Sequence, residues 1–275
     1  MINTPQAAQP ERLQQESQRQ SHSQSERKPP KPNRSISAAW IKSGLIALPI
    51  YGLIVGFTTR KPQPDQSVDP EAWARFVSTT SYLVEHIASS VLGAVLVIFG
   101  TLALGAVLSH NRAPRLALSG TLLAITGQTL FMVPGTISTL ATPAIGAAHL
   151  SGNQEVMTIE FSPVLTVITG VALLLAVAGN IILGLAIWRS GVLPKWAGLL
   201  WIIGTLVFYV LGAFLGMATT GASLPTQPVG AVLMAISSGW IAWTVLNSRA
   251  TQSGTDPYPA ADRPTDPVSH SPREA

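Results

Sequence analysis

LVEHIASSVLGAVLVIFGTLALGAVL, residues 83–108, carries no charged side chain after Glu85. An α-helix rises about 1.5 Å per residue, so this run is long enough to cross a hydrocarbon core of about 30 Å. Five further runs of the same character occupy residues 38–58, 116–135, 164–188, 196–217 and 229–246. No water inside a bilayer is available to satisfy backbone N–H and C=O groups, so each run is expected to cross as a helix. The predicted fold class is therefore all-α, a polytopic transmembrane helical bundle of six spans.

Composition agrees with that solvent. Charged residues make up 11% of the chain and hydrophobic residues 47%, against about 25% charged in an ordinary soluble domain. The segment 36–247 is read as the six-helix domain. Residues 1–35 are rich in Gln, Ser, Arg and Pro, and residues 248–275 in Pro, Ser, Thr and Asp. Both tails are expected to be disordered, because they hold too few apolar groups to offset the entropy of ordering. The first span has a long polar lead and no small-residue cleavage site after Phe57, so it is expected to remain as an anchor. With no cysteine in the sequence, disulfides, thiol nucleophiles and thiolate metal sites are excluded.

Charge fixes an expected orientation. Arg12, Arg19, Arg27, Lys28, Lys31, Arg34 and Lys42 precede or open the first span. Arg112, Arg115, Arg189 and Lys195 sit in short loops after spans two and four, and Arg249, Arg263 and Arg273 follow the last span. These are fourteen of the seventeen Lys and Arg. Only Arg60, Lys61 and Arg75 lie opposite, with Asp65, Asp69, Glu71, Glu85, Glu155 and Glu160. Basic short loops stay on the cytoplasmic side, so both termini are expected in the cytoplasm of a cell whose inner membrane holds the bundle. Trp40, Trp188, Trp196 and Trp243 fall near the same helix ends, where an indole favours the headgroup level. Arg27, Lys28, Lys31 and Arg34 set topology and form a possible contact for anionic lipid. The basic pI of about 9.7 then requires no nucleic acid.

Two hairpins correspond. GTLALGAVL at Gly100–Leu108 matches GNIILGLAI at Gly179–Ile187, and each is followed by a proline, a basic residue, an apolar residue and alanine: PRLA at Pro114–Ala117 and PKWA at Pro194–Ala197. A duplication would make helices 2–3 and 4–5 parallel repeats. Small residues at i and i+4, namely Gly212 and Gly216, Ser89 and Gly93, Gly120 and Ala124, suit close helix contact. Pro49, Pro134-Gly135 and Ser237-Ser238 are the expected weak points.

The chemically suggestive groups lie on the outer side. Asp69-Pro70-Glu71 reads as a helix start, with Asp69 as N-cap and Pro70 at the first helical position. That helix is expected to break or project near Ser78-Thr79-Thr80-Ser81, with Trp73, Phe76 and Val77 forming an interfacial apolar face. An outer cap is expected from residues 60–82 and 136–162. Glu85 stands about 35 Å along the second span from Leu108, near the outer boundary. Ionisable groups at the edge of a span are functional candidates, so Glu85, His86, His149 and Glu160 form a candidate outer-face proton or ion site. Their spacing is not that of a metal motif: side chains 85 and 86 diverge by about 100°, and a shared metal would need His149 to fold back from a loop.

Gln128 and Asn180 lie deeper and are candidate intramembrane polar contacts, because an unpaired amide there is destabilising. His110 at the inner end of span two lacks a second histidine at its level for haem ligation, and no cofactor is called for. No HExxH, Walker lysine loop or dinucleotide glycine pattern occurs, so no catalytic residue is named.

WRSGVLPKWAGLLWIIGTL, residues 188–206, resembles a hairpin that recurs in uncharacterised bacterial multi-pass membrane proteins of about six helices. The resemblance implies a bacterial inner-membrane protein and supplies no functional residues. The resulting functional reading is a non-enzymatic structural or partner-binding membrane component. The alternatives are a small-solute or proton-coupled transporter and a membrane enzyme with an outer-face site.

Overall fold

The structure is a computed structural model that describes residues 34–159, 162–220 and 222–252. The expected tails fall almost wholly outside these residues. The chain divides into the units Met1–Ala39 and Trp40–Ala275. The described part of the first is helical from Arg34, and the second contains the rest of the bundle.

Helix α1, Arg34–Thr58, runs unbroken through Pro49. A short α2, Pro70–Val77, precedes α3, Thr80–His86. A π-helical turn, Ile87–Leu92, joins α3 to α4, Gly93–Ser109. Helix α5, Pro114–Leu150, is followed by a 3-10 turn at Gln154–Thr158 and by α6, Pro163–Arg189. Helix α7, Lys195–Thr205, continues through a second π-helical stretch, Leu206–Phe214, into α8, Leu215–Thr220. Helix α9 is Thr226–Gln252. Six helical segments among the described residues are long and apolar enough to cross a membrane. Spans one to six are Ala38–Thr58, Thr80–Ser109, Pro114–Leu150, Pro163–Arg189, Lys195–Thr219 and Thr226–Ser248.

Small residues share the interior with large side chains such as Leu45, Leu104, Leu183 and Trp201, and many other large apolar residues face outward. Ala94, Ala117, Ala172, Ala186 and Ala197 are fully buried, while Leu53, Phe57, Leu122, Leu174 and Met217 are exposed. An apolar exterior and buried small residues suit a bundle bathed in lipid, where small side chains let helix backbones approach closely. Consecutive spans pack in sequence: Gly44 against Ala103, Gly105 against Thr121, Gly120 against Leu183, Gly184 against Gly198, and Gly204 against Met234. Gly52 against Ala235 brings span one to span six. The tightest approach lies between spans three and four. A Cβ on Gly127 would sit 2.3 Å from the Ala176 nitrogen, and one on Gly179 2.2 Å from the Ala124 nitrogen. Gly105 and Gly184, which correspond in the two similar hairpins, each face the partner helix of their own hairpin. Gly212 and Gly216 pack on Gln227 and on the Ala222–Leu224 backbone. That GxxxG pair therefore serves the chain's own turn.

Three expectations about the elements need correction. Span three does not end at Gly135: α5 continues through Pro134 and Pro143 to Leu150, about 55 Å in all, so 136–150 is helix and His149 sits on it, not in a loop. The apolar face of α2 is not left for lipid. Trp73, Ala74, Val77 and Tyr82 form a small core with Phe76, Ile145 and Met157, and Gly146 of α5 admits Val77 and Ser78. Asp69 caps α2 as expected, accepting from the Ala72 amide at 2.9 Å. Finally, the helical irregularities are the two π stretches and not the proline sites. Ser237 and Ser238 are buried and bonded, to the Ala197 carbonyl at 2.7 Å and the Met234 carbonyl at 2.8 Å.

Candidate functional site

The face bearing Ser109, Pro114, Arg189 and Lys195, where short turns join the helices, is termed the turn face. The opposite one, bearing residues 59–79 and 151–159, is the loop face. On the loop face, α3 starts where Thr79 accepts from the Tyr82 amide at 3.1 Å. That cap sets Glu85 two turns into the helix, with a side chain 16% exposed. Its Oε1 lies 3.5 Å from Lys61 Nζ and 4.0 Å from Arg60 Nη2, and accepts from Ser81 Oγ at 3.2 Å. Arg60 also covers the Phe57 ring, 3.4 Å from its centroid. Glu85 thus fastens the loop after span one to the start of span two.

His86 points elsewhere, as the turn of the helix requires. Its ring stacks on Tyr82 at 3.8 Å between centroids, and its Nδ1 is 3.1 Å from the Tyr82 carbonyl oxygen. Tyr82 in turn donates its hydroxyl to the Ser138 carbonyl at 3.2 Å, tying span two to the projecting part of span three. His149 is buried, and its Nδ1 has no hydrogen-bond partner among the described residues. Glu160 lies outside the described residues. The described residues contain no group of three or more His, Asp or Glu placed to share a metal ion. The three described candidates have separate surroundings: Glu85 is in an ion pair, His86 is on an aromatic stack, and His149 is buried on span three.

The π turn begins directly after His86. Its i→i+5 geometry shows in the Gly93 amide donating to the Ala88 carbonyl. Ser89 Oγ donates to the Glu85 carbonyl at 2.8 Å. Single π turns concentrate at functional positions, and this one directly follows the Glu85-His86 pair.

Within the bundle, Gln128 Oε1 accepts from the Tyr209 hydroxyl at 3.4 Å, and Tyr209 shares a side-chain hydrogen bond with Tyr51. Spans one, three and five meet at that node, and Tyr209 belongs to the second π stretch. Gln128 and Tyr209 each stand about 21 Å from the turn-face start of their helices, Pro114 and Lys195. Asn180 Oδ1 accepts from Trp201 Nε1 at 3.1 Å, and its Nδ2 donates to the Ala176 carbonyl at 2.8 Å. Tyr51, Tyr209 and Trp201 escaped the sequence reading. Counting depth along each helix is the signal that pairs them with Gln128 and Asn180.

Outside the spans, the Ser67 hydroxyl and amide both donate to Asp65, at 2.7 and 2.8 Å. These bonds hold the Asp65 carboxyl below its ordinary range. Glu71 pairs with Arg75 along α2 and raises the guanidinium above its ordinary value.

On the turn face, Ser190 builds the hairpin between spans four and five. Its hydroxyl donates to the Ile187 carbonyl at 2.8 Å and accepts from the Leu193 amide at 3.1 Å. Gly191 takes the left-handed φ of 75° that the turn needs. Trp188 and Trp196 meet edge to face across it, 5.9 Å apart. Of the basic N-terminal group, Arg27, Lys28 and Lys31 lie outside the described residues, as does the Arg34 side chain.

No curated protein and no solved structure matches the chain. Residues 44–246, which take in all six spans except the ends of the first and last, match the family described as a domain of unknown function (DUF4386). The match takes in well over half of the chain, and the chain belongs to that family.

Proposed function

We propose that this chain is a non-enzymatic component of a bacterial cytoplasmic membrane, with its turn face and both termini in the cytoplasm, serving a structural or partner-binding role. The observation that carries this reading is that three polar side chains inside the bundle are taken up by contacts between helices. Gln128 is bonded by Tyr209, Asn180 by Trp201, and Ser237 by the Ala197 carbonyl. A solute pathway needs polar groups that are available to a passenger, and here they serve helix contacts. The orientation is supported by the five described basic residues of the turn face, Lys42, Arg112, Arg115, Arg189 and Lys195, in short connections or at helix ends.

A small-solute or proton-coupled transporter is the second reading, and the two π stretches favour it. Both interrupt α-helical hydrogen bonding in the loop-face half of their spans, at Ile87–Leu92 and Leu206–Phe214, and such stretches are places where helices bend. Purified full-length chain in liposomes loaded with a pH-sensitive dye separates the two. The proposal expects proton flux equal to that of protein-free vesicles, and stoichiometric copurification of a membrane partner after cross-linking in native membranes. Protein-dependent flux that Tyr209→Phe abolishes would replace it with transport.

A further inference from the structure

A cleft of about 430 Å³ opens at the turn face between spans one, two and six. Ile41, Val107, Leu193 and Val245 wall it, and His110 and Asn111 stand where span two ends. The polar and apolar parts are ordered along the helix axis. Val107 lies one helical turn deeper than His110, and Val245 nearly one turn deeper than Ser248, so the cleft is apolar inside and polar at its mouth. Thr244, which also lines it, donates its hydroxyl back to the Trp240 carbonyl at 2.9 Å. The wall it presents is therefore less polar than its composition suggests. Trp40 and Trp243, next in sequence to lining residues Ile41 and Thr244, are both exposed, which suits helix ends at headgroup level.

Among the described residues, the charged side chains of the turn face are all basic. The Arg112 side chain lies over Gly191, with its Cδ and Nε each 3.4 Å from where a Cβ on that glycine would sit, and Gly191 adjoins lining residues Val192 and Leu193. Lys42, Arg115, Arg189 and Lys195 share this face. The described carboxylates, Asp65, Asp69, Glu71, Glu85 and Glu155, all lie on the loop face. Among the described residues Arg112 therefore meets no acid on its own side. His110 Nδ1 is 2.9 Å from the Ala106 carbonyl oxygen, so a protonated ring would direct its Nε2–H outward.

We propose that this cleft binds an anionic phospholipid of the bilayer, with one acyl chain between Ile41, Val107 and Val245 and its phosphate against Arg112 and His110. Charge complementarity selects the headgroup. A mouth whose described charges are basic, above an apolar slot between spans, matches the two halves of such a molecule, and a guanidinium suits a phosphate because its N–H groups form a fork. Arg112 is pre-positioned by its contact with the Gly191 turn, so little side-chain freedom is lost on binding.

The test uses the full chain in a neutral detergent, with thermal unfolding followed as lipid is titrated. Dioleoyl phosphatidylglycerol should raise the midpoint in a saturable way and dioleoyl phosphatidylcholine should not. Arg112→Gln should weaken the apparent affinity for phosphatidylglycerol about fivefold, whereas Arg115→Gln, an equal loss of charge, should leave most of it. Val192→Trp, entering the cleft from an exposed position, should also weaken binding, and it provides the same reading if Arg112→Gln fails to fold. Equal losses from Arg112→Gln and Arg115→Gln would show diffuse attraction and overturn the site. A response to phosphatidylcholine of the same size, or to inorganic phosphate alone, would overturn the lipid as its occupant.

Discussion

Trp201 donates its indole N–H to Asn180 at 3.1 Å, and both side chains are buried where spans four and five cross. The bond satisfies two groups that lipid could not. Replacing Asn180 by Leu leaves the indole without an acceptor, which costs about 1–3 kcal/mol for a buried donor in general. Direct cycles in membrane bundles average nearer 0.6 kcal/mol, because the separated helices also find partners. The expected loss is therefore about 1 kcal/mol. A double-mutant cycle with Trp201→Phe in reversible detergent unfolding should give a favourable coupling below about 2 kcal/mol, and zero coupling would mean that the bond contributes nothing.

Glu85 makes a different kind of contact. Lys61 and Arg60 are 48% and 40% exposed at their side chains, so water screens the pairs and their contribution to stability should stay below about 1 kcal/mol. Glu85→Gln keeps the acceptor for Ser81 and loses the attraction for both cations. Tryptic cleavage after Arg60 should become faster while the unfolding midpoint hardly moves. If the outer-face ion-site reading is right, the same variant alters a proton or cation response with its folded yield intact. No change in cleavage, stability or ion response would reduce Glu85 to a solvated boundary residue and remove the site.

Much of the bundle was legible because its cause is one-dimensional. A run such as residues 83–108 needs only length and lack of charge to become a span, and Asp69-Pro70 announces a helix start through local hydrogen bonding alone. The end of span three was not legible. Pro134-Gly135 read as a weak point, yet α5 passes it, and Pro143 beyond, with α2 packed on its projecting part through Gly146. The π stretches were hidden for another reason. Spans two and five are apolar nearly all round, so a one-residue insertion in the helix disturbs no visible periodicity. For the candidate site, the residues were nameable but their partners were not: Glu85 pairs with Arg60 and Lys61 because the loop folds back, a relation that sequence separation conceals.

Asp65 gives a pH dependence confined to the first loop. Its carboxyl is held below the ordinary value of 3.8 by the two Ser67 bonds. A folded-state value depressed in this way contributes order that is fully present above the ordinary value and is lost as pH falls through the folded one. The 65–69 turn, which also has the Asp69 amide on the Asp65 carbonyl at 2.9 Å, should therefore loosen only below about pH 4. Carbon chemical shifts of Asp65 and Ser67 across an acid titration should move together in wild type. A Ser67→Ala chain should titrate higher, and an unchanged midpoint would show that the serine bonds do not set the value.

Orientation is checked with cysteines placed in a chain that has none. Ser151 follows the loop-face end of span three, and Ser253 lies beyond the last described residue of α9. With cytoplasmic termini, an impermeant maleimide applied to intact cells should label Ser151→Cys and spare Ser253→Cys until the membrane is opened. Labelling of both from outside would overturn the six-span topology with cytoplasmic ends.

The close approach of spans three and four yields the sharpest contrast. At Gly127 an added methyl would lie 2.3 Å from the Ala176 nitrogen and 2.8 Å from the Ala172 carbonyl oxygen, both backbone atoms that cannot rotate away. At Gly170, on the same span four, nothing lies within 4 Å. Alanine is better than glycine in a helix interior by about 1 kcal/mol, so local propensity favours both substitutions equally and packing alone decides between them. Gly127→Ala must push the two helices apart, and overpacking of that kind costs about 1–3 kcal/mol. The expected order of unfolding midpoints is Gly170→Ala at or above wild type and Gly127→Ala below it. If the two variants were equally stable, the backbone contact between Gly127 and Ala176 would not be what holds these spans together.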